Sequence, residues 1–385
     1  MPNNKQTVYF LSFLFYNNHM EKINNGLAII GTGTIFDKYL NGLQSSNVFN
    51  IVAVCDKDKN KLDSVKLNIE KYVNYTQLIK DKEKLNLNTI LIATPPKTHY
   101  EIAKYCLKSG INVLIEKPAT ITYAELDNLY KIARKNNSLF LVMFHWAYGS
   151  EVLYLKNILS ELIFNFGKIK KFTTIVNDPY CDNTKKHILK DKIPLEGTWL
   201  DCGINCLSMI NSLIKLDDIK YCKIKWKIDN KADLPYYSNH KFSANNTDIN
   251  IIVNWKEQIN FKRSIIEFEN NTKVYIHHSD QKIYLVDNKK DDKLFRNFFI
   301  KNKNNKQVEK LLETSYKDLS VFTVEDRLHT HYYNFFNARD FYDKNNLIKE
   351  RKNRKIKTVD NFFDNSISME ESLKIHKLLF EYNKK

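Results

Sequence analysis

The stretch IIGTGTIFDKYL (residues 29–40) places two glycines between a short apolar run and a helical pattern. Gly31 permits a tight turn after a strand, and Gly33 allows backbone N–H groups to approach a pyrophosphate at the positive N-terminus of the helix. Phe36 stands where a third small residue normally lets helix and strand pack closely. The stretch therefore predicts a strand–turn–helix unit that binds a dinucleotide. The cofactor contacts predicted in this turn are Gly31, Gly33, Thr34 and Ile35.

The next apolar run, FNIVAVCD (residues 49–56), ends on an acidic residue where the ribose of a dinucleotide lies. Asp56 can accept hydrogen bonds from both ribose hydroxyls, and its charge repels a 2′-phosphate. The pattern therefore favours NAD over NADP, although the positive charge of Lys57 weakens this discrimination. The alternative is that Asp56 only caps the helix that follows it.

Short apolar runs alternate with helical patterns through the first third of the chain. Continuous apolar strands separated by helices are typical of βαβ units with a parallel sheet, so we predict a Rossmann-type, doubly wound α/β fold. The predicted strands are residues 27–31, 49–56, 88–95, 111–118 and 139–144, with a helix over residues 98–110.

The pattern changes after about residue 150. A helix over residues 151–163 is followed by long alternating runs, which predict an α+β domain with a predominantly antiparallel sheet. We divide the chain into a leader (1–22), a dinucleotide-binding domain (23–145) and a substrate and oligomerisation domain (146–385). The alternating runs cover residues 220–228, 248–255, 259–269 and 272–278, with an exposed Lys/Asn-rich insertion at 288–306 and helices at 325–343 and 369–382.

The composition fits a globular protein that binds a small molecule. The net charge of +16 suggests nucleic acid or an anionic membrane at first. However, Lys greatly outnumbers Arg and is spread along the chain. Nucleic-acid-binding proteins usually concentrate Arg in basic stripes. The densest basic run, KERKNRKIK (residues 349–357), is interpreted as a solvated loop. We expect no nucleic-acid partner and no membrane partner.

Cysteine usage and the N-terminus favour a cytoplasmic protein. The six cysteines form no C-x-x-C pair and the histidines lack zinc spacing, so we expect buried free thiols in a reducing compartment and no metal. The apolar run VYFLSFLFY (residues 8–16) is too short to span a bilayer and lacks a small-x-small cleavage site. We interpret the residues before Met20 as a disordered or untranslated leader.

Two further motifs, ATPPKTHYEIA (residues 93–103) and IEKPAT (residues 115–120), end consecutive predicted strands. With GTG and VAVCD they resemble the glucose–fructose oxidoreductase / inositol dehydrogenase family (Gfo/Idh/MocA) over roughly residues 27–212. The resemblance implies NAD or NADP as cofactor and a sugar or polyol bound between the two domains. It implies that Lys117 points at the substrate, and it is compatible with a cis Lys117–Pro118 bond. The cofactor contacts it implies are Thr94, Pro95, His99, Glu116 and Lys117, with His99 alternatively a helix-face residue.

The stretch TWLDCGINCLSMI (residues 198–210) resembles the family's D-x-G-x-H helix, with Asn205 in place of the usual histidine. An amide cannot titrate, so Asn205 can only orient a ligand by hydrogen bonds. This variant resembles the subgroup of D-galactose and L-arabinose 1-dehydrogenases. The stretch MFHWAYGSEV (residues 143–152) resembles the same subgroup through His145 and Tyr148, although it lacks that subgroup's arginine.

These residues predict an NAD(P)-dependent aldose 1-dehydrogenase that releases a lactone. Asp201 and Asn205 would share a helix face, with Gly203 leaving room for the ligand. Asp201 would act as the general base, Asn205 would hold a hydroxyl, and Lys117 would stabilise the developing oxyanion. The predicted substrate contacts are His145, Tyr148, Asp178 and Trp199.

Three alternatives stay open at this point. Asp201 can be an ordinary first-turn acid, with Asn205 bonding a nearby loop. The enzyme can instead be another sugar or polyol dehydrogenase of the family, acting on an inositol or a nucleotide-linked sugar. The chain can also be a non-catalytic, NAD-binding sugar sensor. In each case the resemblance implies a homodimer or homotetramer.

Overall fold

The computed structural model describes residues 26–46, 49–181, 187–257, 259–286, 317–318, 331–332, 334–336 and 367–383. The predicted leader, the Lys/Asn-rich insertion and the basic run at 349–357 lie outside the described residues. So does most of the predicted helix at 325–343, in which residues 331–332 and 334–336 are helical.

The first domain is built on a six-stranded sheet in the order β3-β2-β1-β4-β5-β6, with every neighbouring pair parallel. This is the strand order of a doubly wound dinucleotide-binding fold, so the predicted fold class is confirmed. The sequence pattern missed β3, whose three residues EKY include no aliphatic side chain. The strands are β1 (Gly26–Ile30), β2 (Asn50–Cys55), β3 (Glu70–Tyr72), β4 (Leu87–Ile92), β5 (Asn112–Glu116) and β6 (Phe140–Met143).

Helices connect these strands, and polar side chains mark where several of them begin. The Asp58 and Asn74 side chains accept N–H groups of the first turn, and Thr122 and Glu125 form a reciprocal capping box. Asp58, rather than Asp56, therefore caps the helix after β2. The helices are α1 (Phe36–Ser46), α2 (Lys59–Ser64), α3 (Tyr75–Lys80), α4 (Pro96–Lys108) and α5 (Tyr123–Lys135).

The second domain contains an eight-stranded sheet in the order β14-β13-β12-β11-β7-β10-β9-β8. All neighbouring pairs are antiparallel except β7 and β10, which are parallel. The predominantly antiparallel prediction is therefore confirmed, although β7, β9, β13 and β14 were not among the predicted strands. The strands are β7 (Ile169–Asn177), β8 (Lys220–Asp229), β9 (Leu234–Ala244), β10 (Thr247–Asn254), β11 (Phe261–Phe268), β12 (Lys273–His277), β13 (Lys282–Val286) and β14 (Lys317–Asp318).

Helices and short turns join the two sheets. Helix α6 (Ser150–Phe166) leads into β7, and a π-helical segment (Trp199–Gly203) runs directly into α7 (Ile204–Leu213). Helix α8 (Met369–Glu381) packs against α5 and α7. Two 3-10 turns cover His145–Tyr148 and Lys190–Leu195.

One apolar core continues from the first sheet into the second. Ile115 of β5, Leu207 of α7 and Ile251 of β10 belong to the same buried cluster and have no exposed surface. Five of the six cysteines are buried free thiols, as predicted, and Cys222 is exposed. Among the described residues, no helix combines the length and apolar character needed to cross a bilayer.

Candidate active site

The glycine turn lies at the carboxyl edge of the first sheet, between the ends of β1, β2 and β4. Gly31 has φ +105°, and a Cβ there would lie 2.5 Å from the carbonyl oxygen of Ala93 after β4. The Gly31 N–H donates to the Cys55 carbonyl at the end of β2 (2.8 Å). A side chain at residue 31 would therefore strain the backbone and collide with the neighbouring turn.

Gly33 meets a different environment, because a Cβ there would find no atom within 4 Å. Thr34 beside it is exposed, and α1 begins at Phe36. Open space in front of a helix N-terminus fits a pyrophosphate that approaches the backbone closely. The ring of Phe36 is buried in the apolar cluster between α1 and the sheet, so the third position contributes packing.

Asp56 is hydrogen-bonded to the same turn. Its Oδ2 accepts the Thr32 N–H (2.8 Å) and the Thr32 hydroxyl (3.1 Å), and its Oδ1 accepts the Asp58 N–H (3.0 Å). Burial acts to raise the pKa of Asp56, but the bonds from Asp58 and Thr32 outweigh it and hold the pKa below its usual value. A carboxylate has about four acceptor positions, so acceptor capacity remains for a ribose hydroxyl.

Thr94 and Pro95 follow β4 at the same edge, and His99 connects their turn to the E-K-P turn after β5. The His99 ring is fully buried, with Nδ1 3.0 Å from the Pro118 carbonyl and Nε2 2.7 Å from the Thr94 carbonyl. Burial lowers the pKa of His99 to about 4, although the carbonyls act to raise it. A neutral imidazole carries one N–H, so His99 can donate to only one of these carbonyls at a time, and its buried ring has no surface with which to line the nicotinamide ribose.

The centre of the site is a close pair between Lys117 and Asp201. Lys117 Nζ donates to Asp201 Oδ1 (2.9 Å) and to the Asp201 carbonyl (2.8 Å), and the peptide bond between Lys117 and Pro118 is cis. Burial acts to lower the pKa of Lys117, but the negative charges of Asp201 and Glu116 raise it above its usual value. The ammonium is therefore positively charged at neutral pH, in a setting where both side chains are only 11% and 13% exposed.

The sequence suggested a regular α-helix around Asp201. In the structure, Asp201 lies in the π-helical segment instead. The wider turn leaves the Asp201 carbonyl accepting side-chain donors, Lys117 Nζ and Asn205 Nδ2 (3.3 Å). The other end of the amide, Asn205 Oδ1, is buried and has no hydrogen-bond partner among the described residues. The structure therefore brings Lys117, Asp201 and Asn205 together.

Gly203 makes room for a protein side chain, not for a ligand as the sequence had suggested. A Cβ at Gly203 would lie 2.3 Å from the Trp199 ring. Trp199 is fully buried and stacks on His240 with ring centroids 3.4 Å apart. Trp199 is thus part of the core and has no exposed surface for a sugar.

A second buried pair adjoins the first. Lys262 Nζ contacts Asp178 Oδ1 (2.6 Å), and both side chains are less than a tenth exposed. The Cys202 thiol lies between the two acids, 3.4 Å from Asp178 Oδ2 and 3.5 Å from Asp201 Oδ2. Burial, and then the charges of Asp201 and Asp178, raise the pKa of Cys202 well above its usual value, so the thiol keeps its proton. Asp178 was predicted from the sequence as a substrate contact, whereas Lys262 was not predicted. The sequence signal for Lys262 is its inward-facing position in the alternating run at 259–269.

Glu116, His145 and Tyr148 lie on the other side of the E-K-P turn. Glu116 accepts the Lys117 N–H (2.9 Å) and the Tyr332 hydroxyl (3.1 Å), and burial raises its pKa. The His145 ring packs 5.1 Å from that of Tyr332. Tyr148 is buried in the apolar cluster between α1 and the sheet.

Within the part of the chain that the structure describes, no group of three or more His, Cys, Asp or Glu side chains is arranged to hold a metal ion.

Comparison with known proteins supports the fold of the first domain. Residues 26–144 match the Gfo/Idh/MocA family model, which describes an oxidoreductase family with an NAD-binding Rossmann fold. These residues are therefore similar to the NAD-binding domain of that oxidoreductase family. Among curated relatives, an oxidoreductase of Schizosaccharomyces pombe is 27% identical over 216 residues, covering 54% of this chain and 56% of the relative. The D-glucoside 3-dehydrogenase of Escherichia coli is 27% identical over 135 residues, covering 34% and 37%. The aligned region thus spans about half or less of the relatives' length.

Solved structures extend the likeness in fold over most of the chain. A 3-ketoreductase from Actinomadura kijaniata, solved with TDP-benzene and NADP, has a TM-score of 0.67 at 12% identity, covering 93% of this chain and 96% of its own. A dehydrogenase from Clostridium difficile has a TM-score of 0.64 at 17% identity, covering 93% and 98%. At such identities the likeness shows the fold.

Proposed function

We propose that this chain is an NAD(P)-dependent oxidoreductase that oxidises an aldose at C1 to its lactone by hydride transfer to nicotinamide. The observation that carries the proposal is the Lys117–Asp201 pair, joined at 2.9 Å, beside the carboxyl edge of an NAD-binding fold. Oxidation of an alcohol needs a proton acceptor and a positive charge near the developing oxyanion, and this pair offers both. When bound, the cofactor supplies the hydride-accepting nicotinamide.

The charge of Lys117 decides the roles within the pair. Because its pKa is raised, Lys117 is protonated at neutral pH and is suited to stabilise an oxyanion. Proton removal then falls to Asp201. Asn205 lies in the first turn of α7, and its Oδ1, which has no hydrogen-bond partner among the described residues, offers an acceptor for a substrate hydroxyl.

NAD is the preferred cofactor in this proposal, with NADP as the alternative. The Asp56 carboxylate at the end of β2 lies where it would meet a 2′-phosphate, and it is held ionised by its hydrogen bonds. The A. kijaniata structural neighbour carries NADP and an oxidoreductase from Agrobacterium radiobacter carries NAD+, so relatives of this fold accept either.

Oxidation at C3 of a sugar ring is the second candidate. It is favoured by two relatives, the E. coli D-glucoside 3-dehydrogenase and the A. kijaniata 3-ketoreductase. The choice of C1 rests on Asn205 and on the resemblance of residues 143–152 to aldose 1-dehydrogenases. Cytoplasmic location and a homodimeric or homotetrameric state stay predictions.

Matched sugars separate the two candidates. NAD and NADP reduction would be followed at 340 nm with D-galactose, L-arabinose, D-xylose, L-fucose and D-glucose, and with the methyl glycosides of galactose and glucose. A C1 dehydrogenase oxidises a free sugar but not its methyl glycoside, because the glycoside lacks the anomeric hydroxyl. Equal turnover of both members of a pair would refute C1 chemistry and favour C3.

Inositols and nucleotide-linked sugars, added to the panel, distinguish the remaining alternatives. Turnover with inositols or nucleotide-linked sugars alone would indicate another dehydrogenase of this family. Saturable NAD(H) binding and sugar binding, without turnover of any substrate, would refute the enzyme and indicate a sensor.

A further inference from the structure

Helix α8 (Met369–Glu381) lies far along the sequence from every motif of the site, yet it contacts both halves of it. The helix begins with a capping box between Ser368 and Glu371. Its buried side chains lie on one face, as expected for an amphipathic helix packed on a core. They are Ser372, Ile375, His376, Leu378 and Leu379.

The first contact joins α8 to the E-K-P turn. The Ala119 N–H donates to His376 Nε2 at 3.2 Å, across 257 positions of sequence. His376 Nδ1 lies 2.9 Å from the Ser372 carbonyl, which can only accept. Nδ1 therefore carries the hydrogen, and Nε2 presents a lone pair to Ala119. Burial lowers the pKa of His376 to about 4, so this neutral tautomer persists at neutral pH.

A second ring contacts the neighbouring residue of the same turn. His99 Nδ1 of α4 lies 3.0 Å from the Pro118 carbonyl, while His376 accepts the N–H of Ala119, the next residue. Both rings are fully buried. The two residues that follow Lys117 are thus each contacted by a buried imidazole.

The other contact joins α8 to the segment that carries Asp201. Trp199 Nε1–H donates to the Leu379 carbonyl at 3.0 Å, and Trp199 is the first residue of the π-helical segment. The Leu379 carbonyl belongs to the last turn of α8, where carbonyls lack partners within the helix. The indole therefore satisfies a helix-terminal acceptor and ties the π-helical segment to α8.

We propose that α8 sets the position of Lys117 relative to Asp201, with His376 as a positioning residue that acts through the backbone of the E-K-P turn. The helix touches one half of the pair two residues after Lys117 and the other two residues before Asp201. A donor–acceptor distance of 2.9 Å between two side chains is maintained only if both backbones are held. The kinetic consequence rests on the proposed function, whereas the structural consequence does not.

Three variants of the full-length chain test the proposal. His376→Leu removes the acceptor while keeping an apolar side chain of similar size. His376→Gln restores an acceptor oxygen near the position of Nε2. Ile375→Val is the matched control, because it trims a fully buried side chain on the same helix and touches neither hydrogen bond.

Two readouts are taken on each variant. Peptide-resolved amide hydrogen exchange follows residues 115–122, and steady-state kinetics with the substrate found in the panel gives kcat and KM. In His376→Leu we expect exchange in this peptide to rise at least about tenfold and kcat to fall at least about tenfold, with the sugar KM within about threefold. His376→Gln should return both to within about threefold of the wild type, and Ile375→Val should change neither.

Other outcomes overturn the proposal. Unchanged exchange in His376→Leu would show that the bond does not hold the turn. Faster exchange with unchanged kcat would show that the turn does not position Lys117. An equal effect of Ile375→Val on exchange and kcat would show that His376 acts only through general core packing. If the wild type turns over no substrate, the proposed function fails, and the exchange data alone decide whether α8 holds the turn.

Discussion

Replacing Asp201 with Asn removes the charge that holds Lys117 while keeping the shape of the side chain. Two unit charges 2.9 Å apart attract each other by about 6 kcal/mol at an effective dielectric constant of about 20. The net contribution is smaller, because both groups give up hydration on burial. Lys117 also keeps its bond to the Asp201 carbonyl. We therefore expect Asp201→Asn to lower the free energy of unfolding by about 2–3 kcal/mol, below the roughly 3–5 kcal/mol for breaking a buried pair outright.

The substitution should also change the ionisation of Lys117. Burial lowers the pKa of this lysine, and the charges of Asp201 and Glu116 more than compensate. In the wild type the raised pKa means that the pairing stabilises the fold fully below about pH 10.4, the unfolded value, and is lost as the pH rises through the folded pKa. In Asp201→Asn the pKa of Lys117 should fall. Competitive acylation of Lys117 between pH 7 and 11, quantified by mass spectrometry, measures it.

The kinetic result tests the assignment of Asp201 as the base. Loss of a general base typically costs about 10²–10⁴ in rate, so kcat should fall by that factor while the Kd for NADH, followed by fluorescence, stays within about threefold. Asp191→Asn is the control, because that side chain is 67% exposed and, within the described residues, forms an ion pair with its neighbour Lys192 alone. Turnover of Asp201→Asn within threefold of the wild type would refute the assignment.

Three further predictions concern the cofactor turn and the core. Gly33→Ala should leave thermal unfolding unchanged but weaken NADH binding about tenfold, whereas Gly31→Ala should destabilise the fold by about 2 kcal/mol or more, as compared by calorimetry and fluorescence titration. Asp56→Asn keeps acceptors for Thr32 but removes the charge, so the NADP-to-NAD ratio of kcat/KM should rise about tenfold; an unchanged ratio would contradict the ribose assignment. His240, whose pKa burial lowers to about 3, has no hydrogen-bond partner for either ring nitrogen within the described chain. The unfolded ring binds a proton below about pH 6.5 and the folded ring does not, so His240→Phe should remove roughly 3 kcal/mol of the stability lost between pH 7 and pH 4, measured by urea unfolding.

Five of the six strands of the first domain could be predicted, because each includes an apolar run followed by a turn signal. β1 is buried along its whole length and β2 in its last three residues, and Gly31 and Asp56 follow their ends. β3 could not be predicted, because its residues EKY are largely exposed and its place follows only from pairing with β2. β9 was missed for a related reason, since LPYYSNHKFSA mixes polar residues with a proline and becomes a strand by pairing with β8 and β10.

The candidate site divides in the same way. Lys117 and Asp201 could be selected from sequence, because the short motifs around them resemble those of a known family and the resemblance implies a role for both. The roles of Gly203 and Trp199 could not, since a glycine that makes room for an indole has the same sequence as one that makes room for a ligand. The ring of Trp199, four positions before Gly203, fills the space beside this glycine. This placement follows from the π-helical geometry, which the sequence did not predict.

The amino-acid sequence by itself determined the parallel sheet, the dinucleotide turn and the identity of the central lysine and aspartate. These features depend on neighbouring residues, whose periodicity and backbone preferences act within about ten positions. The tertiary structure alone decided that Lys262 pairs with Asp178 across 84 positions and that His376 reaches Ala119 across 257. Such contacts depend on how β11 and α8 pack on one shared core, and no local pattern in the chain specifies that packing.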